Sequence, residues 1–295
     1  MERLPLACAL LLLLLQGMMN LYHVMATPQE YWARSFPNTL MPDDICARLR
    51  PVPLGLLHMG SDGRDPRFIY TETLREYNDP KETTLFLEKK LKVGMRKLFH
   101  FPKSDFNNAS PFLPREAADA IPFSSAEVPR ILQIFSLPPA SIEAKEVHRG
   151  LAWCESLAAN EKCPTSLEAM IDYATSSGLY NNITVLHTSI EKASVLQVYT
   201  VKKVGHDAIK PSSAVCHNMP YPYALYYCHF VKEGRIHKVA LKGEDGNVVE
   251  AIAVCHSNIR SWPLWVIPTG GSIKADNQNY ACHFLPDTHI VWASA

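Results

Sequence analysis

Four Cys-His dipeptides stand near the C-terminus: Cys216-His217, Cys228-His229, Cys255-His256 and Cys282-His283, separated by 10, 25 and 25 residues. With 8 Cys and 12 His in 295 residues, well under one such dipeptide is expected by chance. Adjacent side chains of a strand point to opposite faces, so each pair would put its sulfur on one face and its imidazole on the other. The thiols could then pair as two disulfides within one layer while four imidazoles converge across the other. Neutral imidazoles suit Cu(II), Zn(II) or Ni(II), and a planar set of four nitrogens favours Cu(II). A mixed Cys/His zinc site is the competing arrangement, although the spacings lack the short clips of structural zinc sites. A third arrangement has two disulfides with surface histidines and no metal.

The elements that must position these residues are β-rich. Ile183 to Leu186 and Val195 to Val204 are rich in β-branched and aromatic residues. Ile236 to Leu241 and Val248 to His256 flank Gly243-Glu244-Asp245-Gly246-Asn247, whose Asp-Gly suits a hairpin turn. Upstream, Leu85 to Met95 alternates apolar and polar residues and predicts a strand. Ser124-x-x-Glu127 precedes Val128, Ile131, Leu132 and Phe135, and Thr165-x-x-Glu168 precedes Met170, Ile171 and Ala174, with Gly178 as a stop. Both predict amphipathic packing helices opened by capping boxes. Residues 27 to about 80 are punctuated by Pro and turn residues with little apolar periodicity, which predicts a leader with few fixed contacts. The fold class is α+β: a single β-rich domain with a few packing helices at 84–294, after a signal peptide at 1–26 and a largely irregular leader at 27–83.

The first residues set the compartment. Arg3 precedes an apolar stretch ending in six leucines, Leu10 to Leu15. At about 12 residues it is short of the roughly 20 a spanning helix needs, and it reads as a secretory signal peptide rather than a buried or membrane helix. Val24-x-Ala26 places the mature start near Thr27, with no membrane span after signal removal. Asn108-Ala109-Ser110 and Asn182-Ile183-Thr184 are glycosylation candidates in such a compartment. Losing Cys8 leaves seven cysteines, an odd number, so at least one stays free, binds a metal or pairs between chains. Cys46 is the natural leftover, and Cys154 with Cys163 plausibly closes a small loop. Lys plus Arg is 29 and Asp plus Glu is 29. That balance argues against a nucleic-acid partner, and 47% hydrophobic residues argue against wholesale disorder.

The spacing CH-x10-CH-x25-CH-x25-CH resembles the signature of the plant BURP domain. So do Phe112-Leu113-Pro114-Arg115, Ile121-Pro122-Phe123-Ser124-Ser125, Cys163-Pro164-Thr165-Ser166-Leu167-Glu168, and Tyr221-Pro222-Tyr223-Ala224 ahead of Cys228-His229. The resemblance extends over about Thr84 to Trp292, and Tyr31-Trp32 with Pro37 to Pro42 is similar to the leader of seed-type and stress-type members. It implies a secreted or vacuolar plant protein of development or stress, associated with cell wall, with cell-wall polysaccharide or a precursor peptide as partner. Some members are copper-dependent peptide cyclases that join a Tyr or Trp side chain to another position of a core peptide. In those, the histidines of the motif are the expected copper ligands, here His217, His229, His256 and His283. The motif cysteines Cys216, Cys228, Cys255 and Cys282 are expected in disulfides.

The chain departs from that pattern after the third pair. Ile259 stands at a Thr position, Trp262 is kept, and Leu264-Trp265 stand where a further His is usual. The leader has Tyr31-Trp32, Tyr70 and Tyr77 but no repeated core peptide. His289 matches a His near the family's C-terminal end and is expected to be a packed or exposed residue rather than a further ligand, and His206 and His237 are given no role. Phosphate-loop, His-Glu-x-x-His and Gly-x-Ser-x-Gly motifs are absent, so a hydrolase built on them is not expected.

Overall fold

The computed structural model describes residues 27–50, 85–105, 109–176, 183–205, 213–231, 234–256 and 280–294. The signal peptide, Asn108, Asn182, Gly178 and the departures at Ile259 to Trp265 lie outside them.

The β-branched C-terminal runs become long antiparallel strands. A first sheet has the order β1 (Phe86–Leu87), β11 (Ala281–Phe284), β10 (Val248–His256), β9 (Gly234–Gly243), β6 (Gln197–Val204), β2 (Arg96–Phe99), with β5 (Ser189–Ile190) beside β10. A second has the order β3 (Glu161–Lys162), β8 (Leu225–Phe230), β7 (Ala214–Met219), β12 (Ile290–Ser294), β4 (Ile183–Leu186). The β9–β10 hairpin turns at Gly246, whose φ of 83° is in the left-handed region that favours glycine. Asp245 Oδ1 accepts from the Asn247 amide at 2.8 Å to close the same turn.

Alternation along the strands separates three layers. Val215, Ile252, Val254, Leu285 and Val291 form a cluster drawn from both sheets, the layer between them. On the opposite face of the first sheet, Val239, Leu241, Ala251, Ala253, Cys255 and Cys282 pack under Phe86, Phe99 and Phe284. On the opposite face of the second, Ala214, Cys216, Cys228 and Trp292 pack under helix α6 (Leu167–Thr175). Strands buried on both faces read as near-continuous apolar runs, which is why Ala251 to Cys255 carries no alternation in type.

Helices cover the second sheet. After the short helix α3 (Arg115–Asp119), the expected helix following Ser124 is α4 (Val128–Ile134), preceded by a 3-10 turn. Its capping box does not close: Ser124 Oγ accepts from Ala126, and Ser124 and Ser125 donate to the Glu155 carboxylate at 3.0 and 2.5 Å. Helix α6 is capped by Ser166 rather than Thr165, with the Ala169 amide donating to Ser166 Oγ at 3.1 Å. Sequence pattern missed α5 (Ile142–Glu155), whose Ala144, Val147 and Leu151 are buried one turn apart beneath a charged outer face. Instead of one strand over Leu85 to Met95, the chain makes short β1, a 3-10 turn (Glu88–Lys90) and a bend at Gly94 before β2. No helix of the described residues is long and apolar enough to cross a membrane.

The described part of the leader, residues 27–50, has more fixed contacts than its composition suggested, and residues 51–83 lie outside the described residues. Residues 27–50 carry two helices, α1 (Pro28–Ser35) and α2 (Asp43–Arg48), and both dock on the domain. Thr27 and Glu30 form a reciprocal capping box on α1. Trp32, 3% exposed, packs 5.7 Å from Trp292 and 5.1 Å from Phe36. The Tyr31 hydroxyl donates to Asp172, which also takes Arg115 at 2.7 Å. On α2, Ile45 is fully buried, and so is Arg48, which donates to the Ser110 carbonyl at 3.2 Å. Helices this short present one or two anchors each, too few to show a period, and they form because the domain holds them.

Candidate metal centre

The four Cys-His pairs lie on β7, β8, β10 and β11, two strands in each sheet. Within the second sheet Cys216 and Cys228 are direct partners across β7 and β8 and form a disulfide with Cα atoms 4.1 Å apart. Within the first, Cys255 and Cys282 are direct partners across β10 and β11, with Cα atoms 3.9 Å apart. Such close Cα spacing marks the non-hydrogen-bonded positions of an antiparallel ladder. Cys154 and Cys163 form the third disulfide, and Cys46 is an exposed free thiol. The expectation that the motif sulfurs share one layer is corrected: each disulfide sits on the outer face of its own sheet, in separate apolar clusters. The reason is that the motif is split evenly between the sheets, so both sheets turn imidazole inward and sulfur outward. With the cysteines oxidised, no motif thiolate is left for a mixed Cys/His zinc site.

Placing the cysteines opposite each other sets the histidines on the diagonal. His217 and His229 have ring centroids 5.3 Å apart, and His256 and His283 lie 5.7 Å apart. Between sheets, His229 is 5.8 Å from His256 and His217 is 6.3 Å from His283. The four rings therefore form a closed circuit, one from each strand. The Nε2 atoms of His217 and His229 approach to 3.1 Å. All four are half-buried, at the end of the inter-sheet layer.

His289 joins them. It sits in the turn before β12, 6% exposed, with Nδ1 3.0 Å from Nδ1 of His217 and its ring perpendicular to that ring. It is packed, as the sequence led one to expect, but its contact with His217 was not foreseen: the family-like His near the C-terminus offers no local spacing that ties it to the motif pairs. Its Nε2 is buried without a hydrogen-bond partner among the described residues. Tyr227, the register partner of His217, lies stacked on that ring at 5.8 Å and 5.4 Å from His229.

Burial lowers the pKa of every imidazole in the group, and the neighbouring rings lower several further. His217 and His256 fall well below the ordinary value, first from burial and then from adjacent histidines. His229 is lowered by burial, His283 to about 4 by burial and His229, and His289 to about 3 by burial, His283 and Arg48. At neutral pH the cluster is a set of uncharged nitrogen donors, the protonation state a metal needs. That set, and the unpartnered His289 nitrogen, fit a nitrogen-preferring divalent ion such as Cu(II).

A second grouping, Glu88, His237 and Cys255, brings ligand atoms within 4.8 Å of one another. Its sulfur is in a disulfide, and Glu88 already pairs with Arg235 and His237, each at 2.8 Å. It is a half-buried hydrogen-bond network anchored by the Arg235–Glu88 ion pair.

Two antiparallel sheets stapled by disulfides, enclosing a nitrogen-only cluster drawn from four strands, define a class of protein in which one dipeptide motif supplies both staple and donor. The family model of the BURP domain matches residues 84–294. The chain is 39% identical over 236 residues to BURP domain-containing protein 3 of rice, covering 76% of this chain and 54% of that protein. It is 33% identical over 255 residues to BURP domain protein RD22 of Arabidopsis thaliana, covering 83% and 64%. With Protein RAFTIN 1B of wheat it shares 34% over 220 residues, covering 72% and 59%. The chain belongs to the plant BURP-domain family, and it spans about half to two thirds of the length of these relatives.

Proposed function

We propose that this is a secreted or vacuolar plant protein that binds copper through His217, His229, His256 and His283, with a role in development or stress. The observation that carries the reading is the closed circuit of four neutral imidazoles, one from each strand of the two disulfide pairs. In this arrangement Cys216–Cys228 and Cys255–Cys282 fix the strand register, and the register aims the rings. His289 orients His217 through the nitrogen turned away from His229. Copper bound there would supply one-electron oxidation of aromatic side chains. The test is metal uptake by the disulfide-intact protein offered Cu(II), Zn(II) and Ni(II) in competition. One equivalent of copper retained through gel filtration is expected, and retention of none would end the reading.

A second reading, a copper-dependent peptide cyclase acting on itself or on a precursor peptide, is favoured by one feature: the four ligand candidates are half-buried rather than sealed. A Tyr or Trp side chain of a peptide could reach such a centre. Its mark would be a cross-link in the copper-loaded protein, or in a supplied peptide, that survives full disulfide reduction. Retention on isolated wall material against salt would instead support a polysaccharide partner.

A further inference from the structure

Among the described residues, Tyr227 is placed unlike the other phenols. Its ring lies at 18° to that of His217 and at 30° to that of His229, so it contacts two of the four proposed ligands. Its hydroxyl donates to Glu161 Oε1 at 3.0 Å. Glu161 is fixed in turn: it stands on β3 in register with His229, and its other oxygen accepts from the Ala158 amide at 3.2 Å. Trp153 of α5 meets the Tyr227 ring edge-on at 5.7 Å. The other described tyrosines that donate to a protein group lack this combination. Tyr31 also donates to a carboxylate, Asp172, but sits on the leader helix. The Tyr173 hydroxyl donates to the Asn160 carbonyl and that of Tyr199 meets Ser194.

A phenol gives up an electron readily only if its proton leaves at the same time, because the oxidised phenol is a strong acid. A carboxylate at hydrogen-bond distance takes that proton without any rearrangement. We propose that Tyr227 is the electron donor of the histidine centre and that Glu161 is the base that receives its proton. The step balances as follows: one electron passes from the Tyr227 ring to a one-electron metal oxidant, either peroxide-activated copper that would be bound at the centre or an outer-sphere complex such as hexachloroiridate(IV), and one proton passes from its Oη to Glu161 Oε1. The products are a neutral phenoxyl, a protonated Glu161 carboxyl and the oxidant reduced by one electron. A reductant of the ascorbate class reverses it. The physiological form of this role rests on the proposed metal binding; the oxidisability of Tyr227 does not.

The test uses the full secreted chain with its three disulfides intact. In one arm the metal-free protein is oxidised with hexachloroiridate(IV) and freeze-quenched, and the phenoxyl is read by electron paramagnetic resonance. In the other, protein equilibrated with Cu(II) is given hydrogen peroxide and read in the same way. Wild type is compared with Tyr227→Phe, Glu161→Gln and Tyr31→Phe. The phenoxyl is expected to disappear in Tyr227→Phe, to fall about tenfold in Glu161→Gln, and to persist in Tyr31→Phe. Phe keeps the ring stack, so the Cu(II) signal should survive in Tyr227→Phe. A phenoxyl of undiminished yield in Tyr227→Phe in the iridate arm overturns the proposal, whether or not copper binds. Absence of a Cu(II) signal from wild type would instead end the metal reading, leaving the iridate arm to decide the role of Tyr227.

Discussion

The Nε2 atoms of His217 and His229 lie 3.1 Å apart because the cysteines beside them, Cys216 and Cys228, are direct partners across two antiparallel strands. Cys255 and Cys282 are likewise direct partners, and the rings of His256 and His283 beside them lie 5.7 Å apart. Each disulfide fixes a register, and a one-residue slip of either strand would turn that strand's imidazole out of the inter-sheet layer.

Removing a disulfide should therefore cost stability and metal together. The Cys216–Cys228 bridge closes 12 residues and Cys255–Cys282 closes 27. Loop-closure entropy puts the loss at about 3 kcal/mol for the first bridge and about 3.5 kcal/mol for the second. A Cys216→Ala, Cys228→Ala double variant should show this in urea unfolding and bind Cu(II) more weakly. Unchanged copper affinity would mean the bridge does not aim the rings.

His289 is outside the four motif pairs but holds Nδ1 of His217. Groups that orient a metal-bound imidazole are worth about 10- to 100-fold in affinity. His289→Ala should weaken Cu(II) binding by about tenfold while leaving the stoichiometry unchanged, as read by competition with a chelator of known affinity. Loss of stoichiometric binding would make His289 a ligand in its own right.

Acid should destabilise the metal-free protein. The folded-state pKa values are depressed, to about 4 for His283 and about 3 for His289, mainly by burial. In the unfolded chain these rings titrate near the ordinary value of about 6.5. Above that pH both states are neutral and the linkage is silent. As pH falls towards 4, the unfolded state takes up protons that the folded state refuses, so stability falls. Urea midpoints measured from pH 7.5 to 4.5 should drop on the acid side, and less steeply in His289→Phe. A flat profile would contradict burial of neutral imidazoles.

Residues 27–50 should behave as part of the folded unit. Trp32 lies against Trp292 with 3% exposure, so Trp32→Ala should cost about 3 kcal/mol or more in thermal or urea unfolding. A change within about 0.5 kcal/mol would return the leader to the status of a loose tether.

Much of this was legible in the sequence, and the reasons it stopped are physical. The Cys-His dipeptides made disulfides among the motif cysteines an expectation without choosing their pairing, and the opposite-face rule put sulfur and imidazole on opposite sides of each strand. Strands β4 and β10 match the β-branched runs from which they were read. The partition of the motif between two sheets was not legible, because pairing of distant strands leaves no mark at short range. Nor was His289, which a turn brings to His217 from 72 residues away. The leader helices were hidden by their brevity, since Trp32, Ile45 and Arg48 gain meaning only against Trp292 and Ser110. Helix α5 was missed because Glu143, Lys145, Glu146 and Arg149 interrupt its apolar positions.

The most direct test of the central claim is electron paramagnetic resonance of the mature protein, made through a eukaryotic secretory pathway and given one equivalent of Cu(II). It would be recorded beside a variant carrying His217→Ala, His229→Ala, His256→Ala and His283→Ala, with the three disulfides verified by mass in both. The expected result is a stoichiometric Cu(II) signal with nitrogen hyperfine coupling in the wild type, lost in the variant. No tight Cu(II) signal in the disulfide-intact wild type, or an identical signal in the variant, would contradict the claim.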